Sequence, residues 1–363
     1  MHSTRLFNTL GRPSTRLLPF TSKSMLAGAY RIGQKPIHSS LRGFCHDTDD
    51  VEEEFSPLNE EQLKQVYGGV YPTDFPREAI RLKTTLQQHS LLQTKFNRAE
   101  SDRGEIKRLR FNRELSATSI LNRITPVHDR LVEGTRNVFY DHFYSQNLVN
   151  RFIMYTNSTF YIGADTPDTI RLVPDLAICS ASQHPFLVLE VGLSEKYDDM
   201  LETAKTVLSK SPTTKFCIII KVFEKPLFRP PVKLGDYLCK PRSVIPIPSP
   251  LSMNDCHACE SEPEGPIMVN GLRWVGKLSA FWEIWGRDIS GNPAVIGERL
   301  WFYGPNTQSQ TIKVDLTGLE RNSTEIAIKS SVLAQAIHGS RAHLAVNRCY
   351  EFLTNWSAKR QKT

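Results

Sequence analysis

The strongest constraint on this chain lies between Val173 and Val222. Pro174 and Asp175 interrupt one apolar run, Glu190 sits inside the next (PFLVLEVG), and a third (KFCIIIKV) carries Lys221 near its end. Apolar runs of this length read as strands, yet charged side chains are rarely buried unless they are paired or bind a metal. Three strand-borne charges in one short unit ask for a common explanation, and a divalent cation held by Asp175 and Glu190 is the economical one. The bland alternative is an ordinary strand-end Asp and a salt-bridged Glu.

The flanking segments give this unit an order. A helix is predicted from about Pro126, a favourable first-turn residue, to about Phe143, with Val127, Leu131, Val138, Phe139 and Phe143 apolar. FIMYTNSTFYIGA, TIRLVPDLAICS and PFLVLEVGL follow as three neighbouring strands split by turn-like DTPD and SASQH. SEKYDDMLETAKTVLSKS opens with Ser194 as a helix N-cap, carries acids early and Lys late, and presents Met200, Leu201, Ala204 and Leu208 as a buried stripe. A strand over Phe216–Val222 closes the unit. Helix, three strands, helix, strand predicts an α/β (α+β) fold: a mixed central sheet flanked by helices.

Residues 47–120 read as a helical, charged N-terminal layer. NEEQLKQVY and PREAIRLKTTLQQHSLLQTKF have helical spacing, and AESDRGEIKRLRFNRE reads as a solvated charge run. A Pro-rich surface insertion spans 226–266, a β-rich extension 267–325, and a helix with a basic tail 326–363.

The 363 residues carry 45 Lys plus Arg against 38 Asp plus Glu, and seven of the basic residues lie in 1–46, where there is no acid. The remainder therefore balances 38 against 38. Arg5, Arg12, Arg16 and Lys23 opposite Leu6, Phe7, Leu10 and Leu17 predict a mitochondrial presequence, the alternative being a disordered or nucleic-acid-binding basic tail in a nuclear or cytoplasmic protein. No apolar run reaches the roughly 20 residues that span a bilayer. Seven scattered cysteines argue against a secreted disulfide framework.

The order of Pro174 and Asp175, then Glu190, Val191, Gly192, Ser194 and Glu195, then Lys221, resembles the PD-(D/E)XK nuclease superfamily, and within it an uncharacterised fungal branch. The likeness covers residues 121–225, extended by KLSAFWEIWGRD and GNPAVIGERLWF. It implies a restriction-endonuclease-like core and metal-dependent hydrolysis of nucleic acid. Asp175, Glu190 and the Val191 carbonyl would hold Mg²⁺ or Mn²⁺, and Glu133 is an auxiliary acid or simply a helix-surface Glu.

The superfamily's Lys, two residues after the acid, is here Gly192, so Lys221 from the neighbouring strand is the expected replacement amine, with Lys205 as a rival. Lys221 would orient the attacking water or stabilise charge on the phosphate. The alternative function is a domain that has lost catalysis and serves as a binding or assembly module.

Two other signals are thin. Cys256 and Cys259, with Cys239 as the nearby third thiol, offer a single CxxC for a metal. Trp274, Trp282, Trp285 and Trp301 lie close in sequence, where strand packing and base stacking are competing uses.

Overall fold

The computed structural model describes residues 55–360 except 74, 76, 104–107, 123, 164–168, 181–183, 231–250, 259–261, 263, 270, 306, 308 and 317–324. The presequence, Cys239 and Cys259 lie outside the described residues.

The N-terminal layer begins with α1 (Glu60–Tyr67), closed at its start by a reciprocal capping box between Asn59 and Gln62. It continues through β1 (Ala79–Lys83), α2 (Leu86–Arg103), β2 (Arg108–Asn112) and β3 (Ala117–Leu121). The three strands form an antiparallel sheet in the order β1–β3–β2. The expected helices are present as α1 and α2, but the segments around them form strands, which corrects the reading of the layer as wholly helical. AIRLK has helical spacing but pairs residue for residue with Ala117–Leu121, and the pairing is reinforced behind it by the 2.6 Å contact between the hydroxyls of Thr84 and Thr118. Cross-strand partners, not local propensity, decide such a segment. The supposed solvated run supplies β2 in the same way.

The layer has its own apolar core, built from Val66, Ile80, Leu92, Phe96 and Ile120 among others.

α3 (Pro126–Ser145) follows, capped by Thr125. β4 (Phe152–Thr156), the small hairpin β5 (Phe160–Ile162) and β6 (Ile170–Leu172), β7 (Leu176–Ser180), β8 (Pro185–Gly192), α4 (Tyr197–Lys210) and β9 (Phe216–Lys225) come next. β4, β7 and β8 are neighbours in an antiparallel meander, and β9 runs parallel to β8. Ser194 does not cap α4 as expected. Lys196 is the N-cap and makes no side-chain cap bond, while the Ser194 hydroxyl donates to Glu78 in the N-terminal layer.

The C-terminal part contains β10 (Cys256–Ala258), β11 (Ile267–Val269), β12 (Leu272–Val275), β13 (Lys277–Arg287), β14 (Pro293–Val295), β15 (Leu300–Tyr303), β16 (Thr311–Val314), β17 (Ile326–Lys329) and α5 (Ser330–Arg360). The expected helix from about residue 325 thus starts only after a strand. β13 joins β9, so the central sheet reads β14–β13–β9–β8–β7–β4, with β15 also on β13. It is a mixed sheet in a chain of mixed α and β content. The larger core packs one face of it against α3 and α5, and a smaller one buries Val188, Cys217, Ile219 and Trp285 under Met200, Ala204, Val207 and Leu208 of α4. Among the described residues no helix is long and apolar enough to cross a membrane.

Candidate functional site

Asp175 stands one residue before β7, beside the end of β8. Its N–H donates to the Leu189 carbonyl at 3.2 Å, and its Oδ2 accepts the Val191 N–H at 2.6 Å. Glu190 lies on β8, inside a strand buried along its whole length. Both acids are shut away from solvent, at 0% and 1% exposure.

What answers their charge comes from outside the apolar runs. Arg108 and Arg110 alternate along β2 and so project from one face of that strand. Arg108 pairs with Asp175 through Oδ1 and also donates to Asn157. Arg110 reaches Glu190 Oε2 at 2.5 Å and Glu195 Oε1 at 2.7 Å. One strand face therefore grips both carboxylates, together with a third from the loop after β8. His128, in the first turn of α3, completes the enclosure with its Nε2 2.7 Å from Asp175 Oδ1.

The titration behaviour follows from these contacts. Burial works against ionising Asp175, but the charges of Arg108 and His128 outweigh it and hold the carboxyl well below the usual range. For Glu190 burial prevails: although Arg110 favours the anion, burial and the neighbouring Asp175 push the carboxyl up to about 7. Burial also raises Glu195. His128 would be depressed by burial alone, yet the Asp175 charge lifts it to about 9.

A pH dependence follows for His128. Since its folded value exceeds the ordinary 6.5, the stabilisation is complete below about pH 6.5 and fades as pH rises through about 9, a loss of up to about 3 kcal/mol. Melting curves should show the wild type losing stability across that interval, and His128→Gln losing much less. Parallel profiles for the two proteins would contradict a charged His128 at neutral pH.

Lys221 lies on the sheet face of Glu190: in the parallel register Glu190 pairs with Ile219, and Gly192 with Lys221. Its ammonium donates to the carbonyls of Leu193 at 2.9 Å and Glu195 at 2.5 Å, which fixes the turn leaving β8. Gly192, two residues after Glu190, offers no side chain beside Lys221. A Cβ there would run into Met200 Sδ on α4. Met200 is flexible at that end, so a side chain at 192 would require it to move aside.

Glu133 stays on the surface of α3, paired at 2.8 Å with exposed Arg130. The helix reaches Asp175 through His128 instead. Cys256 sits in β10 as a free thiol, and among the described residues no cluster of three or more His, Cys, Asp or Glu is arranged to hold a metal ion. Asp175, Glu190 and Glu195 are the hard oxygen donors that Mg²⁺ prefers, but guanidinium, imidazole and main-chain N–H groups already engage them. A cavity of about 30 Å³ bordered by Arg108, His128, Val191 and Glu195 adjoins the group, with space for about two water molecules. The residues as arranged do not fit a hydrated divalent ion with a phosphate on it.

Arg108, Arg110 and His128 were missed in the sequence, though a signal existed for each. Arg108, Arg110 and Asn112 repeat with the period of a strand, and His128 falls on the stripe of α3 that includes Val127, Leu131 and Thr135. No protein-family model matches this chain, and no match to a curated protein or to a solved structure was found.

Proposed function

We propose that this chain is a nuclease-like domain that binds nucleic acid without cleaving it. The observation that carries the reading is the pair of buried arginines, Arg108 and Arg110, standing on Asp175, Glu190 and Glu195 where a catalytic cation would have to be. A guanidinium supplies the positive charge that keeps two buried carboxylates tolerable, but it has no open position for water and cannot lower a water's pKa as a metal does. The strand order and the Pro174–Asp175, Glu190, Lys221 sequence support a restriction-endonuclease-like core that has kept its acids as a structural ion-pair network.

A second reading, Mg²⁺- or Mn²⁺-dependent phosphodiester hydrolysis with Lys221 as the amine, is favoured by one observation. The N-terminal layer has its own apolar core, so Arg108 and Arg110 belong to a unit whose displacement would free the three carboxylates.

Cleavage assays on single- and double-stranded DNA and RNA, with Mg²⁺ or Mn²⁺, separate the two. The expected result is no metal-dependent cleavage by the wild type and no rise in melting temperature on adding either ion, since a ligand that does not bind the native state cannot stabilise it. Cleavage by the wild type that disappears in Asp175→Asn, Glu190→Gln and Lys221→Ala would establish the hydrolase instead.

A further inference from the structure

Three of the four clustered tryptophans are packing residues: Trp274, Trp282 and Trp285 are at most 8% exposed. Trp301 differs, at 42% exposed.

Its position follows from register. On β9, Ile219, Lys221, Phe223 and Lys225 share one face with Glu283, Phe281, Ser279 and Lys277 opposite them on β13, and Trp301 of β15 lies opposite Phe281. The α4 core covers the Ile219 end of this stripe. The helix's first residue, Tyr197, meets Phe281 ring to edge, with centroids 5.5 Å apart. Beyond that point Phe223 is half-buried and Trp301 is open to solvent.

The exposed ring is rigidly mounted. Trp301 lies nearly parallel to Phe223, with centroids 5.9 Å apart at 29°, and edge-on to Phe281 at 5.3 Å. Cations lie over its aromatic neighbours. Arg299, anchored 3.2 Å from buried Glu283, lies 4.1 Å from the Phe281 centroid, and the Lys221 ammonium lies 5.1 Å from that of Phe223. Exposed Lys225 and the partly exposed Lys277, which is ion-paired with Glu262, end the stripe.

We infer that Trp301 and Phe223 form a stacking platform for the bases of single-stranded nucleic acid, with the phosphates met by Arg299, Lys225 and Lys277 along the same face, the buried Lys221 being committed to main-chain carbonyls. A preordered aromatic face flanked by positive charge suits an unpaired strand, because every base offers a π-face and every nucleotide a phosphate. In a duplex the bases are already stacked on one another and offer the ring no free face. The proposal rests on the nucleic-acid class given above but not on the absence of cleavage.

Fluorescence anisotropy in EDTA tests it, using labelled oligothymidylate of about 16 nucleotides, a length suited to one such groove, and the corresponding duplex. The wild type is expected to prefer the single strand. Trp301→Leu, which keeps bulk without a large π-face, should weaken that binding roughly tenfold, while Trp301→Tyr retains most of it and duplex binding hardly changes. Melting curves confirm that both variants are folded. Wild-type protein that ignores the single strand, or Trp301→Leu binding as tightly as wild type, overturns the platform. Cleavage in Mg²⁺ would instead overturn the non-catalytic reading and leave the EDTA measurement to judge the platform alone.

Discussion

Replacing Arg110 by Met should cost about 3–5 kcal/mol of folding stability, the range for removing one partner of a buried ion pair. Arg110 is the partner that Glu190 and Glu195 share, so its loss leaves two carboxyls enclosed with no guanidinium between them. Burial already pushes both carboxyls upward with Arg110 in place, and without it each gains further by taking up a proton. The defect should therefore shrink on acidification: urea unfolding at about pH 8 should show a much larger gap between variant and wild type than at about pH 5.5. Arg110→Lys keeps the charge but loses the planar fork that serves two carboxylates, and should fall between them. A gap below about 1 kcal/mol at both pH values would mean that the pair behaves like a solvated one.

The second large effect is expected at Asp199, in the first turn of α4. Its Oδ1 accepts from Arg81 and Asn112, both at 2.9 Å, and its Oδ2 from the Ser119 hydroxyl at 2.5 Å. These donors come from β1, β2 and β3 respectively, so one carboxylate fastens every strand of the N-terminal sheet to the central core. Asp199→Ala leaves the Arg81 guanidinium buried and unanswered, again a loss of about 3–5 kcal/mol. The loss should be localised. Amide exchange in 79–121 is expected to accelerate far more than in β8 and β9, because the layer keeps its own apolar core while losing its fastening. Equal acceleration throughout would show instead that layer and core unfold as one unit.

How far the sequence could be read depended on where each element finds its partners. β7, β8, α4 and β9 were legible because apolar runs, turn residues and helix-end charges all agree locally, and each of these elements packs against a near neighbour in the chain. The N-terminal sheet was not: β1 and β2 each carry two basic residues in five, and their strand character comes from pairing with β3. The candidate site divides along the same line. Asp175, Glu190 and Lys221 stood out as charges in apolar surroundings, whereas Arg108 and Arg110 looked like ordinary solvated cations. Their role depends on a contact 67 residues away for Arg108 and 80 for Arg110, which no local pattern encodes.

The longest of these attachments bears on how the chain is made. Arg348, buried in α5, holds Glu78 at 2.7 Å with one nitrogen and Glu224 with two others, so residues 270 positions apart in the chain meet in one ion-pair network. On a ribosome the N-terminal layer emerges before the central sheet, yet Glu78 waits for this guanidinium until α5 has been translated. The nascent layer rests on its small apolar core until Asp199 and the site carboxylates engage it, and Glu78 still lacks this ion pair after they have done so. Truncated chains ending before α5 would keep the Asp199 fastening but leave Glu224 buried without its guanidinium, which makes them natural clients for chaperones and proteases.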